Sequence, residues 1–118
     1  MFRVFGKRSG HGTRREGGAP ARLAADVRLY AIGDIHGRLD LLETLLDKIR
    51  ADRDVYGDAT HKLVFLGDYV DRGGQSRAVL ERLSAGPIEG FETTYLLGNH
   101  EHSMLRFLED IEVGPAWL

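Results

Sequence analysis

Three times along the chain, a short run of apolar residues ends in a glycine followed by a side chain that carries oxygen. The runs and their endings are 29–32 before Gly33-Asp34, 63–66 before Gly67-Asp68, and 93–97 before Gly98-Asn99. A segment with apolar residues at helical spacing follows each ending. Short continuous apolar strands that alternate with helices are typical of a buried parallel sheet. The sequence therefore predicts an α/β fold with the order β-α-β-α-β-α.

The apolar positions of the three predicted helices define the faces that should pack on the sheet. They are Leu39, Leu42, Leu45, Leu46 and Ile49 in the first helix, Val79, Leu80 and Leu83 in the second, and Met104, Leu105, Leu108 and Ile111 in the third. The connections around 51–61 and 86–90 contain turn-forming residues. We expect them at the edge of the sheet opposite the Gly-Asp and Gly-Asn endings.

The oxygen-bearing side chains fall at the carboxyl ends of the three strands, which is the edge where open α/β sheets bind ligands. Any one of them, Asp34, Asp68 or Asn99, could serve only as the N-cap of the next helix. Capping alone is a poor explanation for three in register, because further ionisable groups accompany each one. We interpret the set as a ligand site.

The residues around the first two endings suggest metal and phosphate binding. Asp34 and His36 are two residues apart, so in extended chain they face the same side and can bind one divalent cation. Asp68 supplies a second carboxylate, which can bridge two cations. Asp71 and Arg72 follow in the turn, and the arginine fork matches the paired oxygens of a phosphate.

The third ending adds Asn99, a neutral oxygen ligand, and His100, which can donate a proton near neutral pH. Two metals, an arginine and a histidine around one cavity describe hydrolysis of a phosphate ester by a metal-activated water.

The blocks Gly-Asp-Ile-His-Gly, Gly-Asp-Tyr-Val-Asp-Arg-Gly and Gly-Asn-His-Glu together resemble the signature of the calcineurin-like metallophosphoesterases. Within that superfamily they resemble the phosphoprotein phosphatases of the bacterial Ser/Thr type. The resemblance covers 29–112. It implies that the chain is the N-terminal half of an α/β/β/α metallophosphoesterase sandwich.

The resemblance also implies a role for each site residue. Asp34 and His36 would bind the first metal, Asp68 would bridge both metals, and Asn99 would bind the second. Arg72 would hold the substrate phosphate, His100 would protonate the leaving oxygen, and Asp71 would orient His100. The implied mechanism is in-line attack by a hydroxide held between two metal ions, with manganese expected and iron or zinc as alternatives.

Two residues bear on the substrate. Symmetrical dinucleoside tetraphosphatases usually have alanine at the position of Asp71 and aspartate at that of Glu101, so the resemblance favours a Ser/Thr protein phosphatase acting on a phosphoprotein or a small phosphoester. A tetraphosphatase-like hydrolase is the alternative. Gly74 replaces the proline that the family commonly has, which affects the turn that directs Arg72 but removes no ligand.

Two metal-binding histidines that the resemblance implies would lie beyond Leu118, so the second metal site is expected to be incomplete. We interpret the spare histidines His11, His61 and His102 as solvated surface residues. The domain is expected to be truncated at its C-terminus and able to self-associate through an exposed sheet surface, with a fold-back of Trp117 onto the last helix as the alternative. A non-catalytic, one-metal phosphate-binding module therefore remains a second functional hypothesis.

Composition narrows the remaining classes. Residues 1–28 hold seven basic and two acidic residues with several glycines, which predicts a flexible basic tail before a domain at 29–118. The formal net charge of −2 gives no case for a nucleic-acid partner, and the absence of cysteine excludes disulfides and thiolate metal sites. No apolar run is long enough for a membrane helix, so a cytoplasmic location is expected.

Overall fold

The structure, a computed structural model, describes residues 19–117. Three strands alternate with three longer helices, and two short helical turns follow. The elements are β1 (Val27–Ile32), α1 (Leu39–Val55), β2 (Thr60–Phe65), α2 (Ser76–Ser84), β3 (Glu92–Tyr95), α3 (Asn99–Glu109), a 3₁₀ turn (Ile111–Val113) and α4 (Gly114–Trp117).

The strands form one parallel sheet in the order β1-β2-β3. Ile32 of β1 pairs with Phe65 of β2, which in turn pairs with Tyr95 of β3. The last residues of all three strands therefore lie side by side, and the three loops that follow leave the same edge. This architecture confirms the predicted α/β fold class and is consistent with the N-terminal half of a metallophosphoesterase domain.

The core lies between one face of the sheet and the helices α1 and α2. Its fully buried side chains are Ile32, Leu42, Leu46, Leu63, Phe65 and Val79. Leu39, Leu45 and Leu80 pack against this cluster while partly exposed. The predicted apolar faces of the first two helices are confirmed.

His61 is not the surface residue that the sequence predicted, because its side chain is only 6% exposed. β2 begins at Thr60, three residues before the predicted start, so the strand alternation places position 61 on the same face as Leu63 and Phe65. The His61 ring packs near Tyr30 and Phe91. His102 is exposed as predicted, and His11 lies outside the described residues.

α3 packs less closely than predicted. Leu105, Leu108 and Ile111 are exposed by 47–72%, and the helix already ends at Glu109. Only Met104 of the predicted apolar set packs on the core. This face of α3 is exposed because, among the described helices, α3 contacts mainly the short turns that follow it.

The C-terminal turns fold back on α3. The rings of Phe107 and Trp117 lie 5.6 Å apart between their centroids. The fold-back of Trp117, which was the alternative expectation, is what the structure has. The other face of the sheet exposes Leu29 and Leu66, but self-association through that face stays a prediction.

The start of the sheet differs slightly from the predicted boundary. β1 begins at Val27 and includes Arg28, whose Nε donates to Asp52 of α1 at 2.7 Å. Most of the predicted basic tail lies outside the described residues, so its flexibility stays a prediction. Among residues 19–117, no helix is long and apolar enough to cross a membrane.

Candidate metal centre

The loops after the three strands are joined by backbone hydrogen bonds at the carboxyl edge of the sheet. The backbone N–H groups of Ile35 and His36 both donate to the carbonyl of Asp68, at 3.0 and 2.9 Å. Gly37 donates to the carbonyl of Tyr69 at 2.8 Å. Burial raises the pKa of Tyr69 to about 12, and its hydroxyl donates to the carbonyl of Leu96 at 2.6 Å. These bonds hold side chains from distant parts of the sequence at one place.

The glycines of the loop motifs allow this close approach. A Cβ added to Gly67 would meet the backbone of Gly98, and one added to Gly98 would meet the carboxylate and backbone of Asp68. Gly67 also has a φ of 106°, which disfavours any other residue. The second and third loops could not pack at this distance with side chains at these two positions.

None of the three oxygen-bearing side chains occupies an N-cap position. The N-caps of α1, α2 and α3 are Arg38, Gln75 and Gly98, and none of these residues makes a side-chain cap bond. Asp34 and Asp68 lie upstream of the caps, in the loops, although Asp68 Oδ1 accepts the backbone N–H of His100 in the first turn of α3. Capping therefore explains at most part of the set.

Backbone strain is concentrated in these loops. Four non-glycine residues between 19 and 117 have a positive φ, and each is a predicted site residue. They are His36 (45°), Asp68 (58°), Asp71 (70°) and Arg72 (70°). A left-handed backbone is costly for residues with a side chain, and such strain tends to occur at functional sites.

Asp34 and His36 converge as predicted, with Asp34 Oδ2 at 3.6 Å from His36 Nε2. The local reason differs from the predicted extended chain, since the positive φ of His36 bends the backbone between them. Asp34 is about two-thirds exposed, whereas the imidazole of His36 is mostly covered. Asp34 therefore lies at the open side of the site.

The orientation of His36 suits a metal ligand. Its Nδ1 lies 2.9 Å from the carbonyl oxygen of Val70, an acceptor only, so Nδ1 carries the proton and donates it. Nε2 is then left with a free lone pair on the side of Asp34. A histidine held by a hydrogen bond at its other nitrogen is typical of metal sites.

Asp68 in the second loop and Asn99 at the start of α3 lie in contact. One terminal atom of the Asn99 amide is 3.2 Å from both carboxylate oxygens of Asp68. As the NH₂ group that atom would donate to Asp68, whereas as the oxygen it would share a cation with Asp68. The backbone N–H of His100 also donates to Asp68 Oδ1 at 3.2 Å.

His36, Asp68 and His100 form one cluster. Each offers a ligand atom, and these atoms all lie within 4.8 Å of one another. The rings of His36 and His100 are in edge contact, with centroids 4.7 Å apart. The sequence assigned His100 to proton transfer, and the structure brings its ring beside the predicted ligands as well.

Asp71 and Arg72 follow on the second loop. Asp71 Oδ2 lies 2.9 Å from His100 Nδ1, which is the contact predicted for an orienting carboxylate. Arg72 is exposed and has no acidic partner in the part of the chain that the structure describes. Its guanidinium is therefore not joined to the cluster, although its backbone position adjoins Asp71.

Glu101 has a role that the sequence analysis missed. It is 4% exposed, and its carboxylate accepts the backbone N–H groups of Asp68, Tyr69, Val70 and Gly98 at 2.6–3.1 Å. A buried anion is thus paired with four donors and the N-terminus of α3 instead of a cation. The spacing between Gly98 and Glu101 could have indicated this role, since an acidic residue three positions after an N-cap commonly accepts the backbone N–H of that N-cap.

The ligand atoms present are nitrogens and oxygens, with Asp34, His36, Asp68 and Asn99 as the predicted set. Imidazole and carboxylate ligands suit manganese, iron or zinc, so the donor chemistry fits a divalent cation. Among residues 19–117, the predicted ligands of a second cation are Asp68 and Asn99. The parallel α/β sheet thus carries a candidate metal centre at its carboxyl edge.

Comparison with known proteins identifies the family of the chain. The profile of the family described as calcineurin-like phosphoesterase matches residues 27–117. The chain therefore belongs to the calcineurin-like phosphoesterase family.

Curated relatives are similar to part of the chain. A symmetrical bis(5'-nucleosyl)-tetraphosphatase of Xanthomonas campestris is 42% identical over 79 residues, covering 67% of this chain and 22% of the relative. One with the same name from Bordetella pertussis is 39% identical over 77 residues, covering 65% and 25%. The chain thus matches about a quarter of the length of these relatives.

Proposed function

We propose that the chain carries the metal- and phosphate-binding part of a metal-dependent phosphoester hydrolase. The observation that carries the proposal is the convergence of His36, Asp68 and His100 at one sheet edge, with Asp71 in contact with His100. Two features of the loops support it. Glycines allow the second and third loops to approach closely, and the positive φ angles of non-glycine residues fall on predicted site residues.

Asp34 and His36 would hold a first divalent cation together with Asp68, and Asp68 with Asn99 would contribute to a second. When bound, such cations supply Lewis acidity toward the phosphoryl oxygens and lower the pKa of a coordinated water. Manganese is the metal we propose first, since a mixed nitrogen and oxygen donor set without thiolates accepts it.

The chain's own residues would bind and protonate the substrate. Arg72 is free of acidic partners among the described residues, so its fork is available for the non-bridging phosphate oxygens. His100 donates from Nδ1 to Asp71, so Nε2 would be the nitrogen that carries a proton to the leaving oxygen. Asp71 fixes the ring orientation.

The geometry favours a phosphomonoester of an alcohol, as in a Ser/Thr phosphoprotein, as the substrate. An alkoxide is a poor leaving group unless it is protonated as the bond to phosphorus breaks. An imidazole held by a carboxylate beside the metal ligands supplies that proton. This contact between His100 and Asp71 is the specific support for the phosphatase activity.

The named relatives favour a second candidate, a symmetrical dinucleoside tetraphosphate. Both relatives described above carry the name of a tetraphosphatase, although the similarity covers a quarter of their length. The leaving group in such a cleavage is a nucleoside diphosphate, which is stable as an anion and needs no proton. The comparisons support this candidate more directly than the phosphoprotein.

The test of hydrolysis uses the chain loaded with manganese and phenyl phosphate as substrate. Asp68→Asn should abolish the rate, since it weakens the ligand shared by both predicted metals, and His100→Asn should remove most of it. His102→Asn is the matched control, because this exposed histidine lies in the same helix and should leave the rate unchanged. Equal rates in all four proteins would refute the proposal.

The substrate is distinguished by a direct competition. A phosphoserine peptide and diadenosine tetraphosphate are supplied to the same protein, and phosphate and adenosine diphosphate are measured as products. Faster release of phosphate supports the phosphomonoesterase, and faster release of adenosine diphosphate supports the tetraphosphatase. If neither product forms while one manganese ion is bound, the non-catalytic phosphate-binding module is favoured.

We also propose the division into a basic tail at 1–28 and a metallophosphoesterase domain at 29–118. The described sheet and site fall within the second segment, apart from the first two residues of β1.

A further inference from the structure

Trp117 reaches the proposed acid through Asp71. Its indole Nε1 donates to Asp71 Oδ2 at 2.6 Å, across 46 residues of sequence. The same carboxylate oxygen lies 2.9 Å from His100 Nδ1. Two N–H donors from opposite ends of the α3 region thus converge on one oxygen atom.

The chain after α3 folds back so that the Trp117 indole reaches Asp71. Asp110 accepts the backbone N–H of Glu112 and so starts the 3₁₀ turn directly after the helix. Gly114 then packs against Phe107, where an added Cβ would lie 3.1 Å from the ring. The Trp117 ring rests on the same Phe107 side chain, inclined by 49°. The indole is therefore supported on one face and hydrogen-bonded at its edge.

Asp71 is fixed at both ends. Its backbone N–H donates to Ser76 Oγ at 3.0 Å, and its φ of 70° restricts the backbone further. Its carboxylate would otherwise turn about a broad, nearly two-fold torsion. The bond from Trp117 selects one orientation of that group.

We propose that Trp117 is a positioning residue that acts on His100 through Asp71. The indole holds Oδ2 where it accepts the Nδ1 proton of His100, and this keeps the His100 ring in one tautomer, with Nε2 as the nitrogen left for proton transfer. The inference rests on the proposed function for its catalytic meaning. The arrangement itself involves no bound metal.

The substitution Trp117→Phe removes the donor and keeps an aromatic ring on Phe107. The manganese-loaded chain is assayed with phenyl phosphate, whose leaving group needs protonation, and with p-nitrophenyl phosphate, whose leaving group needs it much less. We expect kcat for phenyl phosphate to fall about tenfold and kcat for p-nitrophenyl phosphate to change less than about twofold, with KM unchanged for both. Equal losses would mean only a structural role, and no change would mean no role.

Tyr56→Phe serves as the control, because it also removes one donor from an aromatic side chain, at an exposed position at the end of α1. It should alter neither rate. A selective loss of the phenyl phosphate rate in Tyr56→Phe would show that the leaving-group comparison does not report on Trp117.

A second measurement separates this inference from the proposed function. The chain has one tryptophan, so its ¹⁵N-labelled form gives one indole N–H resonance. Asp71→Ala should move that resonance upfield, and Trp117→Phe should change the His100 imidazole ¹⁵N shifts from those of a single Nδ1–H tautomer to those of a mixture. Unchanged spectra would overturn the positioning role whether or not the chain hydrolyses any substrate, while altered spectra in an inactive chain would leave it standing and refute only the proposed function.

Discussion

His36 is oriented as a metal ligand by the hydrogen bond from its Nδ1 to the carbonyl of Val70. The sequence predicts that Asp34 and His36 face the same side, and the structure places Asp34 Oδ2 3.6 Å from His36 Nε2. The hydrogen bond from Nδ1 to Val70 could not be predicted, because that carbonyl belongs to a loop 34 residues away. Spacing identifies candidate ligands, whereas long-range backbone contacts orient them.

His36→Ala should weaken manganese binding by at least about tenfold, because it removes a nitrogen ligand already oriented by the Val70 carbonyl. Isothermal titration calorimetry measures the change. His102→Ala should bind manganese like the unmodified chain, and an equal loss in both variants would contradict the assignment of His36.

Glu101 makes backbone hydrogen bonds that its sequence motif did not predict. In the sequence it bears only on the substrate class, whereas in the structure its carboxylate is buried beneath the second loop. Its partners are backbone N–H groups, which have no sequence signature of their own. The spacing from Gly98 could reveal one of the four bonds, and tertiary contact determines the other three.

Glu101→Gln should lower the free energy of unfolding by about 2–4 kcal/mol, because the amide keeps one acceptor and turns a donor toward other donors. Urea unfolding measures the loss. Glu109→Gln, on the exposed end of the same helix, should change it little. A Glu101→Gln protein as stable as the unmodified chain would mean that the four bonds are not important to the loop.

Among the elements, the loops were predicted more accurately than the third helix. The polar residues that follow the three strands lie together because the strands are parallel, and the carboxyl ends of neighbouring parallel strands share one edge. The apolar face of α3 was predicted to be buried, but Leu105 and Leu108 are exposed. Periodicity shows which side chains share a face and does not show what covers that face.

The contact between the second and third loops depends on glycine. Gly98→Ala should destabilise the protein by about 1–3 kcal/mol and weaken manganese binding, because the new Cβ would push against the Asp68 carboxylate. Gly74→Ala is the control, since a Cβ there meets nothing within 4 Å. Thermal unfolding and calorimetry compare the two, and matching behaviour would contradict the proposed loop packing.

β1 is joined to α1 at the opposite edge of the sheet by a polar cluster. Hydrogen bonds from Arg28 and Tyr30 lower the pKa of the Asp52 carboxyl. A carboxyl with a lowered pKa in the folded state adds stability above its unfolded pKa of about 3.9 and loses it as pH falls through the folded value.

Asp52→Asn should therefore be less stable than the unmodified chain above about pH 5, with the difference shrinking as the pH falls below about 4. Urea midpoints across this range give the measurement. Asp47→Asn, which alters an exposed pair within α1, should show a much smaller difference. A difference for Asp52→Asn that is constant at every pH would contradict the linkage.

For the whole molecule, the fold and the family were predictable because three sequence blocks recur in order with similar spacing. Their glycines and polar residues are local requirements of the same edge of one sheet. The burial of His61 and the hydrogen bond from Trp117 to Asp71 were not predicted, since each depends on where an element begins or ends. The three blocks do not determine the substrate, because the named relatives and the His100–Asp71 contact favour different leaving groups.

The central claim is that this chain holds a divalent cation between the loops of its three strands. Calorimetric titration of the chain with manganese tests it most directly, with Asp68→Asn alongside. We expect one tight site per chain, with binding reduced at least about tenfold in Asp68→Asn. Two tight sites would contradict the incomplete second site, and equal binding by the Asp68→Asn protein would contradict the metal centre itself.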